Sequence, residues 1–139
     1  MTLAITNYES FLYQLQSLYP SVEFSTLTLY HIDEWTAVVK GEILFAENIT
    51  LRVREVIDFN EKLIQSYSYE VYKGDEKIYW YDSFPHPHIP ELSINHPHHK
   101  HIPPDMKHNR IPAPELSFKK INIPFLIKEI EVMISNDKS

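Results

Sequence analysis

Cysteine is absent from the 139 residues. Its absence removes disulfides, thiolate metal sites and thiol nucleophiles, and it fits a reducing cytoplasm, the location expected here. Glycine occurs only twice, at Gly41 and Gly74. No stretch approaches 18 consecutive apolar residues, so no membrane span is expected. The first residues lack a basic segment followed by an apolar run, so no secretory signal is expected either. Positive charge is scarce overall: the net charge of −6 argues against a whole-surface attraction to nucleic acid.

What is present reads as one soluble domain over 1–139, long enough to bury a core, with an ordinary 43% hydrophobic and 23% charged composition. The exception is the stretch from Asp82 to His101. His86, His88, His96, His98, His99 and His101 fall within 16 residues and are six of the chain's eight histidines. Imidazole titrates nearest neutrality, so such a block can move protons, bind a metal or carry pH-dependent charge. Pro85, Pro87, Pro90 and Pro97 forbid helix there and favour extended backbone, which predicts a rigid presentation loop over about 84–122. That segment holds five bases against three acids, so it is +2 and leaves −8 for the remainder. A local basic patch on an acidic body is compatible with binding phosphate.

The rest of the chain predicts an α+β fold. Tyr8, Phe11, Leu12, Leu15 and Leu18 keep helical spacing, with Asn7 as N-cap and Pro20 beyond the end, so a packing helix is expected over about 8–18. From Val22 the period changes to two. Five antiparallel strands in a meander are expected at about 22–32, 35–45, 49–58, 63–73 and 77–83. Asp33-Glu34, Glu47-Asn48 and Gly74-Asp75 supply the turns, the last as a two-residue hairpin. That hairpin pairs Lys73 with Glu76, Tyr69 with Trp80 and Tyr67 with Asp82, and puts Tyr67, Tyr69, Trp80 and Asp82 on one face unless a bulge intervenes. Ile123, Ile127, Ile130 and Ile134 predict a C-terminal helix over about 123–135, capped by Asn122. The expected architecture is a sheet packed by an N-terminal and a C-terminal helix.

Tyr67-Ser68-Tyr69, then Tyr81-Asp82, then Pro85-His86, then the block His96-Pro97-His98-His99-Lys100-His101 resemble, in order and spacing, the TumE-like family of prokaryotic toxin–antitoxin toxins. The likeness spans about residues 40–130. It departs from the family pattern at Trp80, where the family has arginine, and at Ser83, Pro87, His88 and His96. The resemblance implies a cytoplasmic toxin neutralised by a cognate antitoxin that carries a DNA-binding domain. A homodimer is the expected assembly on the frequency of twofold oligomers.

Three accounts of the histidine block stand side by side. In the first, it performs metal-free acid–base catalysis on RNA, with one histidine taking the 2′-hydroxyl proton and another protonating the leaving oxygen. His98, His99 and His101 are then the catalytic candidates, supported by His86 and Asp82. Lys100 and Arg54 would contact phosphate, and Tyr69 and Trp80 would stack bases. No cofactor is needed. In the second, His86, His88, His96 and His99, with Asp82 near, hold zinc, nickel or manganese in a non-catalytic metal-binding or protein-binding module. In the third, prolines and imidazoles pack the loop over the sheet, as in a toxin inactivated by divergence; Tyr69 and Trp80 are then core, and Arg54 lies on a solvated sheet face.

Overall fold

A computed structural model describes residues 3–83, 99–102, 110–113 and 115–137. The chain opens with α1 (Ile5–Tyr13) and a single further turn, α2 (Leu15–Leu18). Tyr8, Phe11, Leu12 and Leu15 form the buried stripe that their spacing predicts. The expectation of one helix from 8 to 18 capped by Asn7 needs correction. The helix begins at Ile5, after Ala4 and without a side-chain cap, and it breaks at Gln14, where φ is −108° and ψ is 7°. There the Gln14 N–H donates to the Phe11 carbonyl, three residues back, and Leu15 still reaches the core while Leu18 does not.

Eight antiparallel strands follow among the described residues: β1 (Val22–Ser25), β2 (Thr28–His31), β3 (Thr36–Phe45), β4 (Ile49–Asp58), β5 (Leu63–Lys73), β6 (Glu76–Asp82), β7 (His99–His101) and β8 (Arg110–Pro112). Their order is β1-β3-β4-β5-β6-β7-β8, and β2 pairs with β3 beyond β1. The meander is as expected, but the count rises from five. The first expected strand divides in two, and the segment read as loop contributes β7 and β8. Three-residue strands carry no readable periodicity, so their pairing is set by the open edge of β6.

The division of the first strand depends on Gly41. The Thr26–Leu27 step passes so close that a Cβ at Gly41 would lie 2.6 Å from the Thr26 carbonyl oxygen, and φ there is +143°. Thr26 N–H donates to the Glu42 carbonyl at 2.8 Å, and the Glu42 N–H donates to Thr26 Oγ1 at 2.9 Å, which locks the crossing. Both the dihedral and the space demand glycine. Gly41→Ala is expected to cost about 2–4 kcal/mol. Urea unfolding would show it as a lower midpoint at unchanged slope, and an unshifted midpoint would mean that the crossing can yield.

The turns form where expected. Asp33 Oδ1 accepts the Trp35 and Thr36 N–H groups at 3.0 and 2.8 Å, and these bonds hold its carboxyl below the usual range. Gly74 takes φ +59°. The β5–β6 register starts as counted, with Lys73 opposite Glu76, and then slips at a bulge, so that Val71 faces Tyr79, Tyr69 faces Tyr81 and Ser68 faces Asp82. The expected shared face of Tyr67, Tyr69, Trp80 and Asp82 is thereby corrected. Tyr67, Tyr69, Tyr79 and Tyr81 are buried together, and Trp80 and Asp82 turn to the opposite face. An unbulged register would drive the Asp82 carboxylate into the apolar layer, which is costly for an ionised group.

The final helix, α3 (Ile123–Asp137), buries Ile123, Leu126, Ile127, Ile130 and Ile134 with α1 over one face of the sheet. Asn122 does not cap it with its side chain. Its Oδ1 accepts the Ser117 N–H at 3.0 Å, and its Nδ2 donates to the Tyr69 hydroxyl at 3.0 Å.

Candidate functional site

The pairing of β6 with β7 builds one site from two segments of the sequence. Asp82 lies opposite His99, Tyr81 opposite Lys100 and Trp80 opposite His101. β8 closes the other side of β7, with His101 opposite Arg110. Alternation sends His101 to the face that carries Trp80 and Asp82. There His101 Nε2 is 2.9 Å from Asp82 Oδ2. The imidazole lies flat on the Trp80 ring, with centroids 4.2 Å apart and planes inclined by 11°. Trp80 Nε1 donates to the same Asp82 oxygen at 3.4 Å. Lys77 Nζ sits 4.5 Å from the indole centroid, a cation–π distance.

Each neighbour constrains the histidine. Asp82 accepts from Nε2, so this nitrogen carries the proton and the ring's tautomer and direction are set. The indole holds the ring plane. His101 is only 3% exposed, and the low dielectric there strengthens its link to Asp82. Ser83 supports the strand end, since its Oγ accepts the Tyr67 N–H at 2.9 Å immediately after Asp82. An oriented imidazole with a carboxylate behind it is the arrangement used for proton transfer.

Lys100 is on the other face. Its ammonium donates to Glu129 Oε2 of α3 at 3.1 Å and lies 4.5 Å from the Tyr79 ring centroid and 5.3 Å from that of Tyr81. Tyr81 also donates to Glu129 Oε2, at 2.7 Å. The expected phosphate contact of Lys100 is thus replaced, in this arrangement, by a tie between the sheet edge and α3. Burial and then the Glu129 carboxylate raise the Tyr81 hydroxyl far above its ordinary pKa, so it stays protonated and donates to Glu129.

Tyr69 offers no ring face to a base. It is fully buried, stacked on Tyr67 at 4.8 Å, and its hydroxyl donates to Glu55 Oε2. Tyr8 donates to the other Glu55 oxygen. Glu55 itself is 0% exposed, and burial pushes its carboxyl up against the lowering effect of the two hydroxyls. This carboxylate is not among the candidates that the sequence motifs single out. Its signal is in the strand pattern, because Glu55 shares the buried face of β4 with Val53 and Ile57.

Arg54 lies on the open face, opposite Lys40 and Ser68 in the neighbouring strands. His99 is brought into register with Asp82. His86, His88, His96 and His98 lie outside the described residues. Among the described residues no group of three or more histidines and carboxylates is placed to hold a metal ion; three of the four metal candidates are outside that set. The structure therefore joins His101, Asp82 and Trp80, and it separates Lys100 and Tyr69 from them.

A family model described as Toxin TumE matches residues 11–134. No curated protein matches the chain, and no solved structure does.

Proposed function

Since the chain belongs to the Toxin TumE family, whose toxin role implies a cognate antitoxin, we propose that it is the toxin of a type II pair and acts on RNA by histidine acid–base chemistry. The partner in this reading is an antitoxin with a DNA-binding domain. The observation that carries the proposal is the 2.9 Å pair of His101 and Asp82, held on the Trp80 ring at the sheet edge.

RNA cleavage without a cofactor needs two proton transfers. A base takes the proton of the 2′-hydroxyl as its oxygen attacks phosphorus. An acid gives a proton to the 5′ oxygen as the P–O bond breaks, leaving a cyclic phosphate. His101, aimed by Asp82, serves as one of these groups. The neighbouring histidines of the block, His86, His98 and His99, supply the other. The basic balance of this segment attracts the phosphate to an otherwise acidic protein.

Inducible expression of the untagged chain in a bacterial host, following growth and bulk RNA together, tests this reading. Arrest with fragmented RNA is the expected outcome. Arrest with intact RNA would move the target to a translation factor or nucleotide, and normal growth would remove the toxic activity altogether.

A further inference from the structure

The sheet face turned away from the helices carries a groove of about 520 Å³, walled by Tyr30, Lys40, Arg54, Ser68 and two acidic side chains, with Gly41 in its floor. Beside it a hollow of about 180 Å³ is lined by Arg54, Ser66, Tyr67 and Ser68.

The charges of the groove do not balance. Glu42 is paired with Arg52 at 3.3 Å, and Glu70 with Lys77 at 2.5 Å. Both acids are thus neutralised, and Lys40 and Arg54 are left over. Neither has a carboxylate partner among the described residues; Lys40 Nζ only approaches the Tyr30 ring, at 5.3 Å from its centroid. The two cations face each other directly across β3 and β4. Like charges opposite one another in a sheet destabilise it, and the chain has 19 acids from which a partner could have been drawn. An anion seated between them relieves the repulsion. Arginine with a neighbouring hydroxyl suits a phosphate, because the guanidinium fork engages two of its oxygens.

The groove also points to the sheet edge. Lys40, Arg54, Ser68, Asp82 and His99 are successive register partners across β3, β4, β5, β6 and β7. Strands lie about 4.8 Å apart, so Arg54 and Asp82 stand roughly 10 Å from one another along one row of the same face. Tyr30 is 49% exposed and can stack a base.

We propose that this groove is a subsite for single-stranded RNA: Lys40 and Arg54 hold a backbone phosphate, Ser68 donates to it, and Tyr30 carries a base, while the strand continues along the row to Asp82 and His101. The subsite rests on the RNA reading above and supplies the phosphate contact that Lys100 does not make.

The test is fluorescence anisotropy with a labelled single-stranded 2′-O-methyl oligonucleotide, which cannot be cleaved by attack of its own 2′-hydroxyl. Wild type is compared with Lys40→Ala/Arg54→Gln over a range of salt. Two lost phosphate contacts are expected to weaken binding about 100-fold. The slope of log affinity against log salt should fall by about 0.7 for the one phosphate released, and the melting temperature should hold or rise, because the repulsion across the strands is removed. Equal affinity and slope in the variant would overturn the subsite while RNA fragmentation in cells kept the functional reading. An oligonucleotide that does not bind wild type, with intact RNA in arrested cells, would remove both. A variant that binds the oligonucleotide as wild type does but escapes the antitoxin would make the groove a protein-docking surface and overturn the proposal.

Discussion

His101→Ala is expected, on the RNA reading proposed above, to slow RNA turnover about 10²- to 10⁴-fold, the usual worth of one positioned acid–base group. The argument is geometric: His101 is gripped by Asp82 on one edge and by the Trp80 face, so it is held in one orientation. The ring is also buried. Alanine therefore leaves a cavity against the indole and costs stability as well, about 2 kcal/mol. Asp82→Asn separates the two effects. The amide keeps the size of the carboxylate and can still meet the ring, but its NH₂ favours the other tautomer and it cannot neutralise a protonated imidazole. A loss of about 100-fold or more in turnover, with stability moved by about 1 kcal/mol at most, is the expected signature of proton transfer. Cleavage of a labelled RNA and urea unfolding of the same preparations would check it. If both variants cut RNA at the wild-type rate, the pair is a structural clasp, and the chemistry belongs to His86 and His98.

Glu55→Ala should be the most destabilising single change among these residues, by about 4 kcal/mol. It strips the acceptors from the Tyr8 and Tyr69 hydroxyls, both fully buried. Each unsatisfied buried donor costs about 1–3 kcal/mol, and the void adds to that. Burial, the largest cause of the raised pKa of both hydroxyls, survives the loss of Glu55, so neither ionises in place of the lost carboxylate. Glu55→Gln keeps the volume and one acceptor, and its cost should be much smaller. The two variants also differ in pH dependence. Burial raises the Glu55 pKa from its ordinary 4.5, so between the unfolded and folded values the native protein holds a proton that the unfolded chain has lost. Stability contributed by this group is thus complete below the unfolded value and declines as pH rises through the folded one. Glu55→Gln should flatten that decline. Urea unfolding across a pH series would show it, and identical slopes for wild type and Glu55→Gln would mean that Glu55 keeps an ordinary pKa.

The central sheet was legible because period-two alternation persists for ten residues or more: β4 and β5 run over Ile49–Asp58 and Leu63–Lys73, the bounds their alternation predicts. α3 was legible from four isoleucines at helical spacing. The bulge in β6 was not, because local pairing from Gly74 favours the simple register. Only the whole buried face, which takes tyrosines and rejects Asp82, selects the shifted one. The site was legible as a neighbourhood. Histidine enrichment marked the region, but nothing local distinguishes His101 from His99 or His98; the distinction arises from its position opposite Trp80 and against Asp82, which lies 19 residues earlier in the sequence. Lys100 shows the converse. Its charge suggested phosphate, and one step along a strand turned it to the helix side.

The cluster of Tyr8, Glu55, Tyr69 and Asn122 has a consequence for synthesis on the ribosome. Its members come from both ends and the middle of the chain, and α3 begins only one residue after the last of them. A nascent or prematurely released chain that stops short of residue 122 lacks the amide that bonds Tyr69 and the helix that covers the tyrosine face of the sheet. Such a fragment leaves the tyrosine face of the sheet uncovered, the kind of exposed apolar surface on which incomplete chains aggregate. The fold is competent only once synthesis has passed Asn122 and α3, so a message cut or stalled before that point yields debris rather than a partial poison.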